Sequence, residues 1–472
     1  MRRTLCAAAS LAAALTLSSC SLEPSAVTDG NTVTVVVGYQ SKTINTVTAG
    51  TLLRARGYLE KRLDEITSDT GTRYRVEWQD YDTGAPITAQ MVAEKIDIGS
   101  MGDYPLLING SRTQSNPRAR TELVSITGSH PEGALNMVVV PPVSGVRSLA
   151  DLAGATVSAS IGSAGHGTLV QALDRAHVEG VEVLNQQPQV GASALESGQV
   201  AALSQFVAWP GLLVFQDKAT LLYDGAELGV PTLHGVVVRE AYADEHPEVL
   251  DAFLRAQLDA TRFLVEEPFE ASRIVADGSG LPQEVVYLYN GPGGTTFDTA
   301  LEPALIDALK GDVPYLKSIG DFADLDVDGF VNDGPLRSAF AAEGLNYDAA
   351  VADTSNPNPV TGADPVCGRP SDDPSLAGEV WIAGDAEPQP SADPTCLLRA
   401  VGAARATGRE VRAAYVPDTE LGTRWFADKA VWVVDGQRYL PFTTTAGAER
   451  YLAAHPGSVR VDYDTAVTGG LG

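Results

Sequence analysis

A loop rich in glycine and serine is the stretch of this sequence best suited to chemistry. The letters GSAG at residues 162–165 follow a run of small and β-branched residues at 156–161, which predicts a strand. A helix is predicted at 166–176, where apolar residues recur on one face. Such a loop presents unpaired N–H groups at the positive end of a helix dipole, so we expect Ser163 and Ala164 to contact a small anion. An ordinary strand-to-helix turn has the same pattern, and the loop alone leaves both interpretations open.

Gln40 is a second candidate, because it follows the first predicted strand at residues 33–37. Open α/β sheets bind ligands at the carboxyl ends of their strands. Catalytic patterns, by contrast, are missing from the sequence: it has no Gly-x-Ser-x-Gly, no His-Glu-x-x-His and no Walker loop. Its six histidines are scattered. We therefore expect a binding protein without a cofactor rather than an enzyme.

Residues 1–19 have the features of a secretory signal: two arginines, a short apolar run and then small residues. The letters LSSC, which end at Cys20, resemble a bacterial lipobox and imply that Cys20 is diacylated. A plain signal with an incidental cysteine is the alternative. Because two acyl chains hold a protein on a membrane far better than one, residues 20–31 would then tether an extracytoplasmic, membrane-anchored protein.

The charge balance limits the partners. The 472 residues include 33 Lys and Arg against 60 Asp and Glu, a formal net charge of −27. A surface of this kind argues against nucleic acids and anionic lipid headgroups as binding partners. It would also repel a free anion, so any anion site must be built locally from N–H groups and polar side chains.

Four segments, in this order, resemble periplasmic substrate-binding proteins of ABC importers of the aliphatic sulfonate, taurine and nitrate type. They are VTVVVGYQ at 33–40, KIDIGSMGDYP at 95–105, SLADLAGATVSASIGSAGHGTLVQAL at 148–173 and ADEHPEVLDA at 243–252. The likeness covers roughly residues 31–350. It implies an α/β fold with two lobes, a hinge and a central cleft, which binds a small organic anion and delivers it to a membrane permease.

The resemblance also implies further ligand contacts. The second strand end, at residues 99–103, faces the ligand in that family, which points to Ser100, Met101 and Asp103. His166 matches a family histidine. Asp103 has an alternative role as a helix N-cap, and His166 as a surface residue.

The sequence departs from the family at residues 205–210, QFVAWP, where many relatives carry a Trp-Asp-Pro-Tyr-like stretch. The acid is absent, so the family's ligand preference does not transfer directly. Trp209 is either a wall of the pocket or part of the core.

We predict that residues 32–352 form the two-lobed domain, with the second lobe at about 134–230. Residues 353–395 are rich in Pro, Asn, Asp and Ser and predict a linker or loop region. Residues 396–472 predict a small α+β domain, in which Asp435-Gly436 is the turn of a hairpin.

Cys6 leaves with the signal, so Cys367 and Cys396 are the pair that remains beside Cys20. In an oxidising compartment they predict a disulfide, whose loop of about 30 residues would stabilise the fold by roughly 3 kcal/mol. A metal-binding pair is the alternative.

The same region resembles the C-terminal half of the copper-chaperone lipoproteins associated with nitrous oxide reductase. The matching letters are YVPD at 415–418, Trp425 and HPGSV at 455–459. Cys367-Gly368 begins that family's Cys-Gly-Met motif, but Arg369 takes the place of the methionine. Copper(I) prefers soft sulfur donors, so the disulfide is favoured over a metal site.

The sequence therefore predicts a monomeric, lipid-anchored receptor that passes a small organic anion to an ABC importer and does not bind nucleic acid. A copper carrier that acts through the C-terminal domain is the main alternative. An adhesion or assembly lipoprotein with an empty cleft is a third possibility.

Overall fold

The computed structural model of this chain describes residues 32–470. The predicted signal, the tether and the lipid site Cys20 lie outside the described residues. No helix within residues 32–470 combines the length and the apolar character needed to cross a membrane.

Strands and helices alternate in the first part of the chain. The strands are β1 (Thr32–Tyr39), β2 (Arg73–Asp80), β3 (Ile98–Gly102) and β4 (Thr121–His130), and the helices are α1 (Thr51–Arg56), α2 (Tyr58–Thr70), α3 (Gly84–Val92) and α4 (Asp103–Thr113). The apolar pattern predicts one helix at 48–63, whereas the structure has α1 and α2. Gly57 separates them because its backbone is left-handed, with a φ of 63°, a conformation that glycine adopts at little cost.

The second part of the chain repeats this alternation. Its strands are β5 (Asn136–Val140), β6 (Thr156–Ala159), β7 (Glu182–Asn185), β8 (Ala202–Phe206) and β9 (Thr220–Asp224), and its helices are α5 (Ala164–Arg175), α6 (Pro188–Glu196) and α7 (Trp209–Phe215). Short 3-10 turns lie at Ile44–Ala49, Leu149–Leu152 and Gly225–Leu228. Ser148 caps the second of these turns in a capping box with Asp151.

One strand and a long helical stretch complete the two-lobed region. They are β10 (Thr232–Arg239), α8 (Glu240–Glu245), α9 (Pro247–Glu266), α10 (Pro268–Ser279), α11 (Gln283–Asn290), α12 (Pro303–Ile319), α13 (Gly334–Ala342) and α14 (Tyr347–Ala352).

Two five-stranded sheets form the centres of the two lobes. Their orders are β2-β1-β3-β10-β4 and β7-β6-β8-β5-β9. In the first sheet β1 is parallel to β2 and β3, while β10 runs antiparallel to both of its neighbours. In the second sheet β6 is parallel to β7 and β8, while β5 runs antiparallel to both of its neighbours. The chain crosses between the sheets twice, from β4 to β5 and from β9 to β10, which gives the two-lobed α/β fold that the sequence predicts.

The C-terminal region forms two further, smaller sheets. Its strands are β11 (Gly378–Ile382), β12 (Gln389–Ser391), β13 (Val411–Pro417), β14 (Arg424–Phe426), β15 (Val431–Asp435), β16 (Arg438–Phe442) and β17 (Val459–Val461), and its helices are α15 (Pro394–Ala406), α16 (Thr445–Ala454) and α17 (Tyr463–Gly470). The sheet orders are β12-β11-β13-β14 and β16-β15-β17. The predicted hairpin of β15 and β16 forms, but its two-residue turn is Gly436-Gln437, one residue later than predicted, because Asp435 still pairs with Arg438.

Part of the range that composition predicts to be linker belongs to this fold. All five residues of β11 are buried, and the strand pairs with both β12 and β13. The strand is short and lies between segments rich in proline and aspartate, so its signal in the sequence is weak.

The C-terminal region packs directly on the two-lobed region through aromatic rings. The centroids of Phe215 and Phe426 are 5.4 Å apart, and those of Tyr287 and Tyr415 are 5.5 Å apart. All four rings belong to one hydrophobic cluster, or border it, so the two regions share a core.

Candidate ligand-binding cleft

A cavity of about 130 Å³ lies between the two lobes. The first lobe contributes residues at the ends of β1 and β3 and at the start of α3. The second lobe contributes the loop before α5 and the ends of β7 and β8. The walls are formed by Gln40, Thr43, Thr83, Gly84, Ala85, Gly102, Pro105, Ser160, Ile161, Gly162, Ser163, Ala164, Asn185, Gln187, Phe206 and His234. Among residues 32–470, no Asp, Glu, Lys or Arg lines this cavity.

The turn at Gly162 and Ser163 brings the N-terminus of α5 to the cavity. The helix begins at Ala164, two residues earlier than the sequence predicts, because the Ser163 side chain caps it there. The Ser163 hydroxyl accepts the backbone N–H of His166 at 3.2 Å, and the Ser163 carbonyl accepts that of Gly167 at 3.0 Å. The N–H groups of Ala164 and Gly165 have no acceptor within the described part of the chain. Ser163 and Ala164 line the cavity, so free N–H donors and the positive end of a 12-residue helix lie at its wall.

A second helix begins at the opposite wall. Thr83 is the N-cap of α3, and its side chain makes no capping hydrogen bond there. A Cβ atom on Gly84 would lie 2.7 Å from Cβ of Pro105, so only glycine lets α3 start this close to the first turn of α4. The N-termini of two helices therefore meet at one cavity, an arrangement that favours negative charge between them.

Two buried histidines next to the cleft are neutral. Nδ1 of His234 accepts a hydrogen bond from Nδ2 of Asn45 at 2.7 Å, and Nδ1 of His166 accepts the Gly162 N–H at 3.2 Å. Each ring therefore carries its proton on Nε2. Burial lowers the pKa of His166 to about 4 and that of His234 to about 3. A Cβ on Gly102 would lie 2.9 Å from Nε2 of His234, so this N–H donor packs against the strand end at the cavity wall.

Gln40 lines the cavity with a fixed side chain. Its Nε2 donates to the Ser100 carbonyl at 3.0 Å, and its Oε1 accepts the Thr43 hydroxyl at 3.3 Å. Of the eight candidate ligand contacts, Gln40, Ser163 and Ala164 are the ones that the structure brings together at the cavity.

Ser100 and Met101 lie behind the wall rather than on it. Both are buried, and Met101 packs within the hydrophobic core of the first lobe. Side chains alternate along a strand, but here the backbone of β3, at Gly102, is what reaches the cavity. Ser100 contributes its carbonyl group, which holds Gln40.

Asp103 belongs to a separate buried cluster between the lobes. It is the first residue of α4 rather than its N-cap, and it accepts the Tyr104 N–H at 2.7 Å and the Thr232 hydroxyl at 2.6 Å. Asp312 lies in the same cluster and accepts a hydrogen bond from Nε2 of Gln171 at 2.8 Å. Burial raises the pKa of both carboxyl groups.

His166 and Trp209 also lie outside the lining of the cavity. His166 instead stabilises the turn before α5, because its Nδ1 accepts a hydrogen bond from the Gly162 N–H. Trp209 begins α7, is partly buried against the shared core, and has the Lys42 ammonium 5.8 Å from its ring centroid.

Sequence reasoning missed several residues that line the cavity. These are Thr83, Asn185, Gln187, Phe206 and His234. The ends of β7 and β8 supply three of them, and the rule that identified Gln40 applies to those strand ends as well. Thr83 and His234 carry no comparable signal, because their positions depend on how α3 and the antiparallel strand β10 pack.

Cys367 and Cys396 form a disulfide in the C-terminal region, with their Cα atoms 5.9 Å apart. Cys396 is buried near the N-terminus of α15, and Nη2 of Arg369 lies 3.0 Å from its sulfur. Sulfur atoms bonded to each other are not the free thiolates that a copper(I) site requires.

A family model described as "NMT1/THI5 like" matches residues 115–271 of this chain. The taurine-binding periplasmic protein of Escherichia coli (strain K12) is 24% identical over 237 residues, which are 49% of this chain and 70% of that protein. A putative aliphatic sulfonates-binding protein of the same organism is 23% identical over 283 residues, 59% of this chain and 82% of that protein.

Among solved structures, the chain is similar to the alkanesulfonate-binding protein SsuA from Xanthomonas axonopodis pv. citri bound to MOPS. The TM-score is 0.53 at 23% identity, and the match covers 63% of this chain and 98% of that one. This likeness confirms that the predicted two-lobed fold is that of a periplasmic binding protein.

Proposed function

We propose that this protein is an extracytoplasmic receptor of an ABC importer, which binds a small organic anion of the sulfonate, taurine or nitrate type between its lobes. The observation that carries the proposal is a cavity at which two helix N-termini meet and which no charged side chain of residues 32–470 lines. Helix dipoles and neutral donors there favour a small oxyanion without a fixed counter-ion.

The net charge of the whole chain supports this assignment. A chain with a net charge of −27 repels anions at long range, yet no acidic side chain among the described residues lines the cavity. A local site with N–H donors is therefore the place where an anion meets a favourable field.

We assign the ligand contacts to both lobes. From the second lobe, Ser163 and Ala164 contact the ligand at the N-terminus of α5. From the first lobe, Gln40 and Thr83 contact it at the opposite wall. Nε2 of His234 is a further hydrogen-bond donor. A neutral histidine donates a hydrogen bond without adding charge to the site.

The names of the two relatives agree with this class of ligand, because one is called a taurine-binding protein and the other a putative aliphatic sulfonates-binding protein. A cavity of about 130 Å³ favours a compact sulfonate, such as taurine or a short alkanesulfonate. The lipid anchor at Cys20, delivery to a membrane permease and a monomeric state complete the proposal.

A thermal-shift series tests the assignment. The series contains taurine, methanesulfonate, butanesulfonate and nitrate. The comparison compounds are of similar size: dimethyl sulfone, which is neutral, and ethylammonium, which is a cation. A ligand at 100 times its dissociation constant stabilises the folded state by about 2.7 kcal/mol, which raises the melting temperature. We expect shifts only from the compounds that are a sulfonate or nitrate. Shifts confined to neutral or cationic compounds would contradict the anion assignment while leaving the two-lobed receptor fold in place.

A further inference from the structure

The C-terminal region, residues 378–470, is attached to the second lobe at α7. The ring centroid of Phe426 lies 5.4 Å from that of Phe215, the last residue of this helix. Directly after α7, Oδ1 of Asp217 lies 2.6 Å from Nζ of Lys429. An aromatic contact and an ion pair therefore join the C-terminal region to one lobe.

The same region holds the crossing from β9 to β10. The Thr443 hydroxyl donates to Oδ2 of Asp224, the last residue of β9, at 3.1 Å. Nη1 of Arg450 in α16 lies 3.3 Å from Oε2 of Glu227, which belongs to the 3-10 turn after β9. This crossing is one of the two segments that must bend when the lobes rotate, so the C-terminal region reaches the hinge itself.

On its other side the C-terminal region is attached to α10 and α11. The ring centroids of Tyr287 in α11 and Tyr415 lie 5.5 Å apart, and the Tyr287 hydroxyl donates to Oε1 of Glu379 at 2.9 Å. The ring centroid of Phe269 in α10 lies 4.9 Å from that of Trp381. This attachment is mainly aromatic and includes a buried hydrogen bond.

The helices α10 and α11 are fixed to the first lobe. Helix α10 packs against α1 and α9, and Nδ2 of Asn290 at the end of α11 donates to the Ile44 carbonyl at 2.9 Å. The hydroxyl of Tyr289 in α11 also accepts the Gly211 N–H of α7 at 3.0 Å, a direct contact between the lobes. The C-terminal region therefore makes a second connection, which runs from the first lobe to the second beside this direct one.

The C-terminal region is a single packed body. One hydrophobic cluster includes Val380 of β11, Trp432 of β15 and Ala466 of α17, so its two sheets share a core. Close-packed interiors deform little and transmit strain. A rigid body that is attached on both sides cannot follow both lobes when they rotate, so opening of the cleft must break one of its two attachments.

The attachment to the second lobe is the weaker of the two. Tyr287 and Tyr415 are 2% and 0% exposed. On the second lobe, by contrast, the side chain of Asp217 is 80% exposed and Phe215 is only partly buried. An ion pair with so exposed a partner contributes about 1 kcal/mol or less, so the contacts at α7 should break before those at α11.

We propose that the C-terminal region is a strap, which holds the two lobes together around the cleft and releases the second lobe when the cleft opens. The strap stays on α10 and α11 and moves with the first lobe. Each opening then breaks the contacts at α7 and at the crossing from β9 to β10, which slows exchange of the molecule in the cleft. The proposal concerns the motion of the lobes and does not rest on the identity of the ligand.

Spin labels on the full chain measure the distance between the lobes by double electron–electron resonance. Ser68→Cys in α2 and Gln189→Cys in α6 place one label on each lobe, both at exposed positions. Cys6→Ala and Cys20→Ala remove the other free thiols, because Cys367 and Cys396 are bonded to each other. The labels therefore report opening without any ligand.

The pair Phe215→Ala with Lys429→Gln removes one ring contact and one ion pair between the strap and the second lobe. We expect a population with a longer distance between the lobes, about tenfold more abundant than in the parent protein, equivalent to roughly 1.4 kcal/mol. A distance distribution identical to that of the parent would overturn the proposal.

The control pair, Phe322→Ala with Lys310→Gln, makes the same two changes inside the first lobe. Phe322 is likewise partly buried at the edge of a core, and Lys310 pairs with Asp328 at 2.7 Å. We expect it to leave the distance between the lobes unchanged. Equal opening in the two pairs would mean a general loss of stability and would also overturn the proposal.

A third label shows which attachment breaks. Ala453→Cys lies at an exposed position of α16 in the strap. In the Phe215→Ala, Lys429→Gln protein we expect the distance from this label to Ser68→Cys to stay unchanged and the distance to Gln189→Cys to lengthen. The reverse result would show that the strap stays with the second lobe, which contradicts the proposal.

Discussion

Gln171 in α5 of the second lobe donates a hydrogen bond from Nε2 to the hydroxyl of Tyr104 in α4 of the first lobe, at 2.9 Å. The same nitrogen lies 2.8 Å from Oδ1 of Asp312 in α12. The ring of Tyr104 packs against Gly167, one turn before Gln171. The helix whose N-terminus faces the cleft thus also contributes direct contacts between the lobes.

Gly167→Ala should therefore open the cleft. A Cβ at this position would lie 2.0 Å from Cε2 of Tyr104, closer than any real contact, so α5 and α4 must separate. We expect a larger radius of gyration by X-ray scattering and a dissociation constant for the cleft ligand raised at least about tenfold.

Gly311→Ala in α12 is the matched control, because a Cβ there meets no atom within 4 Å. It should leave the radius and the affinity unchanged. Identical behaviour of the two variants would contradict the role of the Gly167–Tyr104 contact.

Asp224 should make stability depend on pH. It is fully buried at the end of β9, where its Oδ2 accepts the Thr443 hydroxyl of the C-terminal region at 3.1 Å. Burial, with the nearby Asp418 carboxylate as a smaller cause, raises the pKa of Asp224 to about 7. The folded state then holds this proton more tightly than the unfolded state, so its contribution to stability falls as the pH rises from about 4 to about 7.

Urea unfolding at several pH values checks this dependence. We expect Asp224→Asn to remove a slope of up to about 1.4 kcal/mol per pH unit in that window. Asp321→Asn, an exposed position, should keep the slope of the unmodified protein. The same slope in Asp224→Asn would show that Asp224 ionises normally in the folded protein.

The Cys367–Cys396 pair should be oxidised in the mature protein. Alkylation followed by mass measurement should find no free thiol at these two positions, and reduction should lower the free energy of unfolding by roughly 3 kcal/mol. Two free thiols together with stoichiometric copper(I) binding would favour the copper-carrier alternative instead.

Cys20→Ala should release the protein from the membrane fraction without changing its fold. Two acyl chains supply the membrane affinity, and the rest of the chain as described has no helix that spans a bilayer. Immunoblots of membrane and soluble fractions measure the effect. Continued membrane association of the variant would contradict lipid anchoring at Cys20.

Local patterns were enough to predict individual elements, whereas the two lobes were implied by the resemblance to periplasmic substrate-binding proteins. The apolar run of β1, the turn into α5 and the hairpin of β15 and β16 each have a short-range physical cause. All three form, although α5 begins two residues earlier than predicted and the hairpin turns one residue later. Gln40, Ser163 and Ala164 reach the cavity for the same reason, since strand ends and helix starts place them there.

Features set by contacts between distant segments could not be predicted in this way. His234 reaches the cavity because β10 lies antiparallel between β3 and β4 in the sheet. At the end of β3, Gly102 lines the cavity, while the side chain of Met101 points into the core. The strand β11 and the contact between the rings of Tyr287 and Tyr415 likewise depend on partners far along the chain.

Calorimetric titration of taurine and short alkanesulfonates into Ser163→Asp and Ser163→Asn decides whether the N-terminus of α5 binds the sulfonate group. Both side chains cap a helix as serine does, so α5 stays intact in each, but Asp alone places a negative charge against the ligand. We expect Ser163→Asn still to bind the sulfonate, whereas Ser163→Asp should lose at least about 100-fold in affinity, or roughly 2.7 kcal/mol. Equal affinity of the two variants would contradict an anion site at the N-terminus of α5.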